Sequence, residues 1–151
     1  MALKPIAYVQ ARWHTEITDH CKTAFIAEVT KHGYRTDDLE FFSAPGSLEI
    51  PLMAKKLAKT GRYAAVCASG LVVDGGIYRH EFVAQAVLQG IVQTALDTEV
   101  PVLSAVLTPH HFHEHAVHVE FFKEHMRTKG KELAEACVSI VEKLSAVDAL
   151  A

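Results

Sequence analysis

Residues 63–73 run Tyr-Ala-Ala-Val-Cys-Ala-Ser-Gly-Leu-Val-Val, with no charge and almost nothing polar on either alternating set of positions. A strand of that kind has no face it can show to water, so it has to be covered on both sides. It therefore belongs in the interior of a parallel sheet with helices above and below. The run breaks at Asp74-Gly75-Gly76, and beyond the break Phe82, Val83, Ala86, Val87 and Gly90 follow the spacing of a helix face. Glycines at such a junction allow close backbone approach to a ligand, and the helix start behind them offers free N–H groups to an anion. A tight strand-to-helix turn with no ligand explains two glycines equally well.

The same alternation occurs three more times. Residues 6–10 read as a strand and 18–31 as a helix whose apolar stripe is Cys21, Phe25, Ile26 and Val29, closed by Gly33. A strand at 39–43 passes through Pro45-Gly46 into a helix at 50–60, stopped by Gly61. The helix after the central strand is expected over 78–97. A strand at 102–108 precedes a histidine-rich helical stretch and a terminal helix carrying Leu133, Ala136, Cys137, Ile140, Val141 and Leu144 on one face. Strands alternating with helices give a parallel sheet with right-handed crossovers. The expected architecture is α/β: a flavodoxin-like three-layer sandwich, its four-stranded parallel sheet in the order 2-1-3-4 with helices on both faces.

At 151 residues, half of them apolar, the chain can bury one good core, and residues 1–151 are expected to form a single domain. A net charge of −3 without a basic run argues against nucleic acid or an anionic membrane as partner. No stretch approaches a membrane span, and the first five residues lead into a strand without the apolar region of a signal peptide. Cys21, Cys67 and Cys137 are widely spaced in apolar surroundings, as small core residues of a reducing compartment would be, so a cytoplasmic protein is expected.

In an open parallel sheet, ligands bind beyond the carboxyl ends of the strands. Those ends carry Arg12-Trp13-His14, Gly46-Ser47-Leu48-Glu49, Asp74-Gly75-Gly76-Ile77-Tyr78-Arg79-His80 and Thr108-Pro109-His110-His111. Trp13, the only tryptophan, reads equally as a platform for a flat heteroaromatic ring and as a surface-packing residue. Glu49 at a helix start either complements the dipole or accepts hydrogen bonds from sugar-like hydroxyls. Six of the ten histidines fall between His110 and His125, with His111, His115 and His118 on one helix face. No Asp or Cys completes a ligand set beside them, although Glu114 is near, and no HExxH arrangement occurs. Geometry rather than count makes a metal site, and the favoured reading has one or two of these histidines facing a ligand while the others line a solvated or intersubunit face. No metal is assigned.

Together the four loops resemble one family. Arg12-Trp13-His14-Thr15-Glu16-Ile17-Thr18 is similar to R-F-N-x-x-I-T, and Pro45-Gly46-Ser47-Leu48-Glu49-Ile50-Pro51 to P-G-[AS]-[FL]-E-[IL]-P. Residues 72–83 are similar to V-I-R-G-x-T-x-H-F-[DE]-x-V, and Val106-Leu107-Thr108 follows the fourth strand. These are motifs of the lumazine synthases, and the resemblance spans nearly the whole chain. It implies condensation of 5-amino-6-ribitylaminopyrimidinedione with 3,4-dihydroxy-2-butanone 4-phosphate, without cofactor or metal. It also implies that Trp13 stacks on the pyrimidine, that Ser47 and Glu49 hold the ribityl chain, that the Gly75-Gly76-Ile77-Tyr78 turn approaches the phosphate through its N–H groups, and that His14, Gly46, Leu48, Val72 and Val73 belong to the same substrate-binding set. Riboflavin or FMN is a further expected ligand.

The chain departs from that pattern at the proton-transfer residue. An ungapped match puts Arg79 where the family has histidine and His80 where it has phenylalanine. Either His80 does the work after a one-residue shift, or Arg79 binds phosphate and stabilises charge while proximity supplies most of the rate; a guanidinium stays protonated and shuttles protons poorly. Asp74 replaces an arginine, and the family's late phosphate-binding arginine is missing, which leaves His118 and Lys129 as local candidates. The region 121–130 lacks the glycine-rich kink of shell-forming members, so the variant branch is expected, with pentamers paired into decamers through the histidine-rich region and active sites between neighbouring subunits. The competing reading is a flavin- or pyrimidine-binding regulatory module with weak or no turnover.

Overall fold

A computed structural model describes residues 3–73, 79–109 and 116–151. Four strands alternate with four helices: β1 (Ile6–Ala11), α1 (Thr15–Lys31), β2 (Leu39–Ala44), α2 (Ile50–Lys59), β3 (Ala65–Leu71), α3 (His80–Thr98), β4 (Val102–Leu107) and α4 (Ala116–Asp148). All pairings are parallel, as the alternation required, and the sheet order is β2-β1-β3-β4, the flavodoxin-like order that the sequence suggested. Every residue of β3 is buried. The element boundaries lie within a few residues of those read from the sequence. Gly33 and Gly61, expected to close α1 and α2, adopt φ of 98° and 72° just past the helix ends, a conformation that costs glycine little.

The two faces of the sheet carry different cores. On one, Ile6, Tyr8, Cys67, Leu71 and Ala105 meet Ile17, Cys21 and Phe25 of α1 and Phe122, Met126, Leu133 and Cys137 of α4. On the other, Val9, Ala11, Ala44, Val66 and Ala68 meet Ile50 and Ala54 of α2 and Val87 and Ile91 of α3. The period-2 alternation of β1 and β3 thus sorts small and β-branched side chains to both sides. Among the described residues no helix is long and apolar enough to cross a membrane.

The C-terminal part differs from the sequence expectation. In place of a histidine-rich helical piece followed by a separate terminal helix, residues 116–148 form one helix. Nothing in that span breaks a helix except Gly130, and Gly130 is kept for packing: a Cβ there would overlap the backbone carbonyl oxygen of Cys21 and stand 2.9 Å from the Cβ of Ala24. The backbones of α1 and α4 therefore touch where they cross. A small side chain on an exposed helix would gain about 1 kcal/mol over glycine, whereas overpacking a close contact costs about 1–3 kcal/mol. We expect Gly130→Ala to lower the unfolding free energy by about 1 kcal/mol, the overpacking cost less the helix gain, in urea denaturation. An unchanged or raised stability would mean that the two helices can part without loss.

All three cysteines are free and buried between the sheet and this helix pair. The Tyr8 hydroxyl donates to Cys21 Sγ at 3.4 Å, and burial pushes the Cys21 thiol up to about 11. Burial, with Cys137 beside it, also raises Cys67. Because the folded value for Cys21 lies above the ordinary 9.0, this contribution to stability is complete below pH 9 and is lost as pH rises through 11. At pH 8 a thiol reagent is expected to label no cysteine in the native protein and all three in urea. Rapid labelling of a native thiol would show that the α1–α4 layer opens.

Candidate active site

The first wall of the site is built where β1 ends. The Arg12 amide donates to the Ala44 carbonyl at 3.0 Å and carries the β1–β2 pairing one residue further. His14 then adopts φ 56°, ψ 44°, a left-handed conformation uncommon outside glycine and worth notice beside a candidate site. Its carbonyl accepts the amides of Ile17 and Thr18 at 2.9 and 3.0 Å and so starts α1. The reversal throws Trp13 outward over the strand ends, where its side chain is 67% exposed. A large indole left in water is anomalous for packing alone and suits a surface that a flat ring will cover.

The second wall is the turn into α2. A single 3-10 turn, Ser47–Glu49, precedes the helix, and Pro51 occupies its first turn, where a missing N–H costs nothing. Gly46 O accepts the Glu49 amide at 3.3 Å, and among the described residues no backbone carbonyl takes the amides of Ser47 and Leu48. They stay open as donors at a helix start. Gly46 itself is extended, φ −154°, so its glycine supplies space, not unusual geometry. Trp13 Nε1 and Glu49 Oε2 each come within 3.4 Å of the point where a Cβ would stand on it. Indole N–H and carboxylate thus close on a notch that any side chain at 46 would fill.

The third wall follows β3. The Val72 amide donates to Leu107 O at 2.8 Å, and Val72 and Val73 continue the strand toward the site. The expected phosphate turn, Gly75-Gly76-Ile77-Tyr78, lies outside the described residues, as does Asp74. On its far side Arg79 is extended and exposed, its guanidinium 5.8 Å from the ring of Phe82. His80, the first residue of α3, is largely shielded, and its Nδ1 lies 3.2 Å from Glu81 Oε2. A carboxylate there favours the tautomer with the proton on Nδ1 and leaves Nε2 as the acceptor.

These walls enclose a cleft of about 540 Å³ lined by Trp13, His14, Gly46, Ser47, Leu48, Glu49, Val72 and Val73, with Pro45, Leu71 and Val83 completing it. Eight residues expected from sequence therefore come together. Val83, on the inward face of α3, and Leu71 were not singled out; their apolar character marked them only as core. Arg79 and His80 stand beside the cleft at the head of α3 and are not part of its lining. The Glu81 partner of His80 was also missed, and its adjacency was the available signal.

His118 and Lys129 are not brought to this cleft. Both lie on α4, which packs with α1 against the opposite face of the sheet from α2 and α3. His118 contacts the Phe122 ring at 4.9 Å and Lys129 pairs with Glu132 at 2.9 Å. Among the described residues, no group of three or more His, Cys, Asp or Glu side chains could hold a metal ion; His111 and His115, expected beside His118, lie outside them.

The family model of 6,7-dimethyl-8-ribityllumazine synthase matches residues 4–145. A Rhodococcus erythropolis protein named 6,7-dimethyl-8-ribityllumazine synthase is 54% identical over 142 residues, covering 94% of this chain and 92% of the relative. Proteins named 6,7-dimethyl-8-ribityllumazine synthase 2 are 51% identical in Pseudomonas syringae pv. tomato, over 92% of this chain and 82% of theirs, and 52% identical in Bradyrhizobium diazoefficiens, over 89% and 80%. The chain belongs to the 6,7-dimethyl-8-ribityllumazine synthase family and is a lumazine-forming transferase of riboflavin biosynthesis.

Proposed function

We propose that this cleft is where 5-amino-6-ribitylaminopyrimidinedione condenses with 3,4-dihydroxy-2-butanone 4-phosphate. The observation that carries the assignment is the convergence of Trp13 Nε1 and Glu49 Oε2 on the space above Gly46. An exposed indole face can stack on the pyrimidine, and a carboxylate beside it can accept hydrogen bonds from the ribityl hydroxyls. The open amides of Ser47 and Leu48 add donors to the same chain.

The reaction joins an amine to a ketone with loss of one water, expels inorganic phosphate, and closes the ring with loss of a second water. No redox change occurs, so no cofactor is called for, and none is assigned; nor is a metal. Each step moves a proton, and His80, with Nδ1 held toward Glu81, has Nε2 to accept and return one. Arg79, exposed at the start of α3, supplies fixed positive charge for the phosphate as it leaves. Holding the two substrates in attack geometry can itself supply roughly 7–11 kcal/mol of the acceleration.

The assembly we infer is a pentamer of this chain, paired into a decamer through the histidine-rich region. Leu88, Val92 and Leu96 form an exposed apolar stripe along α3, and Val117 and Phe121 are exposed on α4; surfaces of this kind mark contacts with other chains. A neighbour would bring its own α4, with His118 and Lys129, to a cleft that one chain leaves open. Three unpaired thiols suit a cytoplasmic setting.

Lumazine formation from the two substrates in chelator-treated buffer, followed by product absorbance, tests the assignment. Turnover is expected; riboflavin binding without turnover would favour a flavin- or pyrimidine-binding module on the same scaffold. Glu49→Ala should weaken binding of ribitylated ligands about 10- to 150-fold, the range for losing hydrogen bonds to a charged group. In single-turnover kinetics Arg79→Ala should slow the reaction more than His80→Ala, with Arg79→Lys restoring it only in part. The reverse order would move the principal role to His80.

A further inference from the structure

We propose that Gly70, a residue of β3 outside the lining of the cleft, is a positioning residue for Ser47, and through Ser47 sets where the Ser47–Glu49 turn stands above the sheet. The inference rests on the reading of the cleft as the ribityl-chain site. Gly70 is buried and pairs with Val106 within the sheet. Its φ is not in the left-handed region, so the backbone does not call for glycine there. What the glycine supplies is room. A Cβ at this position would stand 2.9 Å from Ser47 Oγ, 3.3 Å from the Ala11 Cβ and 3.8 Å from Ile50 Cδ1. The contact with Ile50 is ordinary and that with Ala11 needs a shift of tenths of an ångström; the hydroxyl is the atom that must move.

Ser47 Oγ therefore sits in the volume that any other residue at 70 would fill. Ile50, fully buried just beyond the turn, anchors its far end. A methyl group at 70 has two outlets: it rotates the Ser47 hydroxyl away from the sheet, or it lifts the turn and carries the Glu49 carboxylate with it. Both change the groups offered to the ribityl chain, while Trp13, which reaches the site from β1, keeps its place over the ring.

Riboflavin and lumiflavin share the isoalloxazine ring system and differ in that a methyl group replaces the ribityl chain, so titrating both against the full chain separates the two parts of the site. Wild type is expected to bind riboflavin more tightly. Gly70→Ala should weaken riboflavin binding tenfold or more and leave lumiflavin within twofold. In a Ser47→Ala background, where the clashing oxygen is gone, adding Gly70→Ala should change neither. Equal losses for both ligands, no loss for riboflavin, or the same loss with and without Ser47 would each overturn the proposal. If Gly70→Ala alone does not fold, the double variant decides: a folded Gly70→Ala/Ser47→Ala protein supports the steric link, and an unfolded one refutes it. A wild type that binds the two ligands equally defeats the ribityl reading of the cleft, a failure visible before any variant is made, and the role of Gly70 goes with it.

Discussion

The burial of β3 on both faces is the constraint from which the rest of the structure follows. A strand with no polar side must be covered twice, so α1 and α4 take one face and α2 and α3 the other. Once both faces are used, the open ends of the strands are where loops meet without competing with the core. Three of those loops contribute to the cleft described here. The small residues of the central strands matter for the same reason. Ala11 and Ala44 pair across β1 and β2, and with Gly70 they let the turn at 46–50 lie low against the sheet. The cleft owes its depth to side chains that are missing as much as to those present.

Close approach recurs wherever the layers meet. Gly130 brings α4 onto the backbone of α1, and a Cβ on Gly90 of α3 would stand 2.8 Å from Pro51 Cγ at the start of α2. The second contact ties α3 to the helix that starts beside the cleft. The Thr94 hydroxyl, which has the Gly90 carbonyl as its nearer acceptor at 2.8 Å, also stands 3.3 Å from the Pro51 carbonyl. The start of α2 is thus held from below by the sheet and from the side by α3, which is how a site on a loop can keep its geometry without help from the loop itself.

The fold was legible because its signals are periodic. Alternation of buried strands with amphipathic helices gave the sheet order, and glycines past helix ends gave the boundaries of α1 and α2. The loops were legible only jointly: Trp13 and Glu49 each had an ordinary reading alone, and the resemblance of the four loops to one family is what singled them out. What could not be read were properties of three-dimensional contact. Val83 looked like any core valine, since nothing local says that its helix face borders a cleft. Gly130 was passed over, because a glycine that admits a neighbouring backbone and one that ends a helix are the same letter. The left-handed turn at His14, which aims Trp13, has no signature in a histidine.

The placement of α4 bears on how the site is completed. Its residues and those of the cleft are separated by the sheet, and the α1–α4 contact at Gly130 leaves no freedom for α4 to change sides. His118 and Lys129 can therefore serve a cleft only if it belongs to a different copy of the chain. If they do so, as proposed, assembly and catalysis become one requirement, because a lone chain would lack a neighbour's side chains beside its cleft. Within one chain the order of dependence runs from burial of β3, to the layers, to the separation of α4 from the cleft.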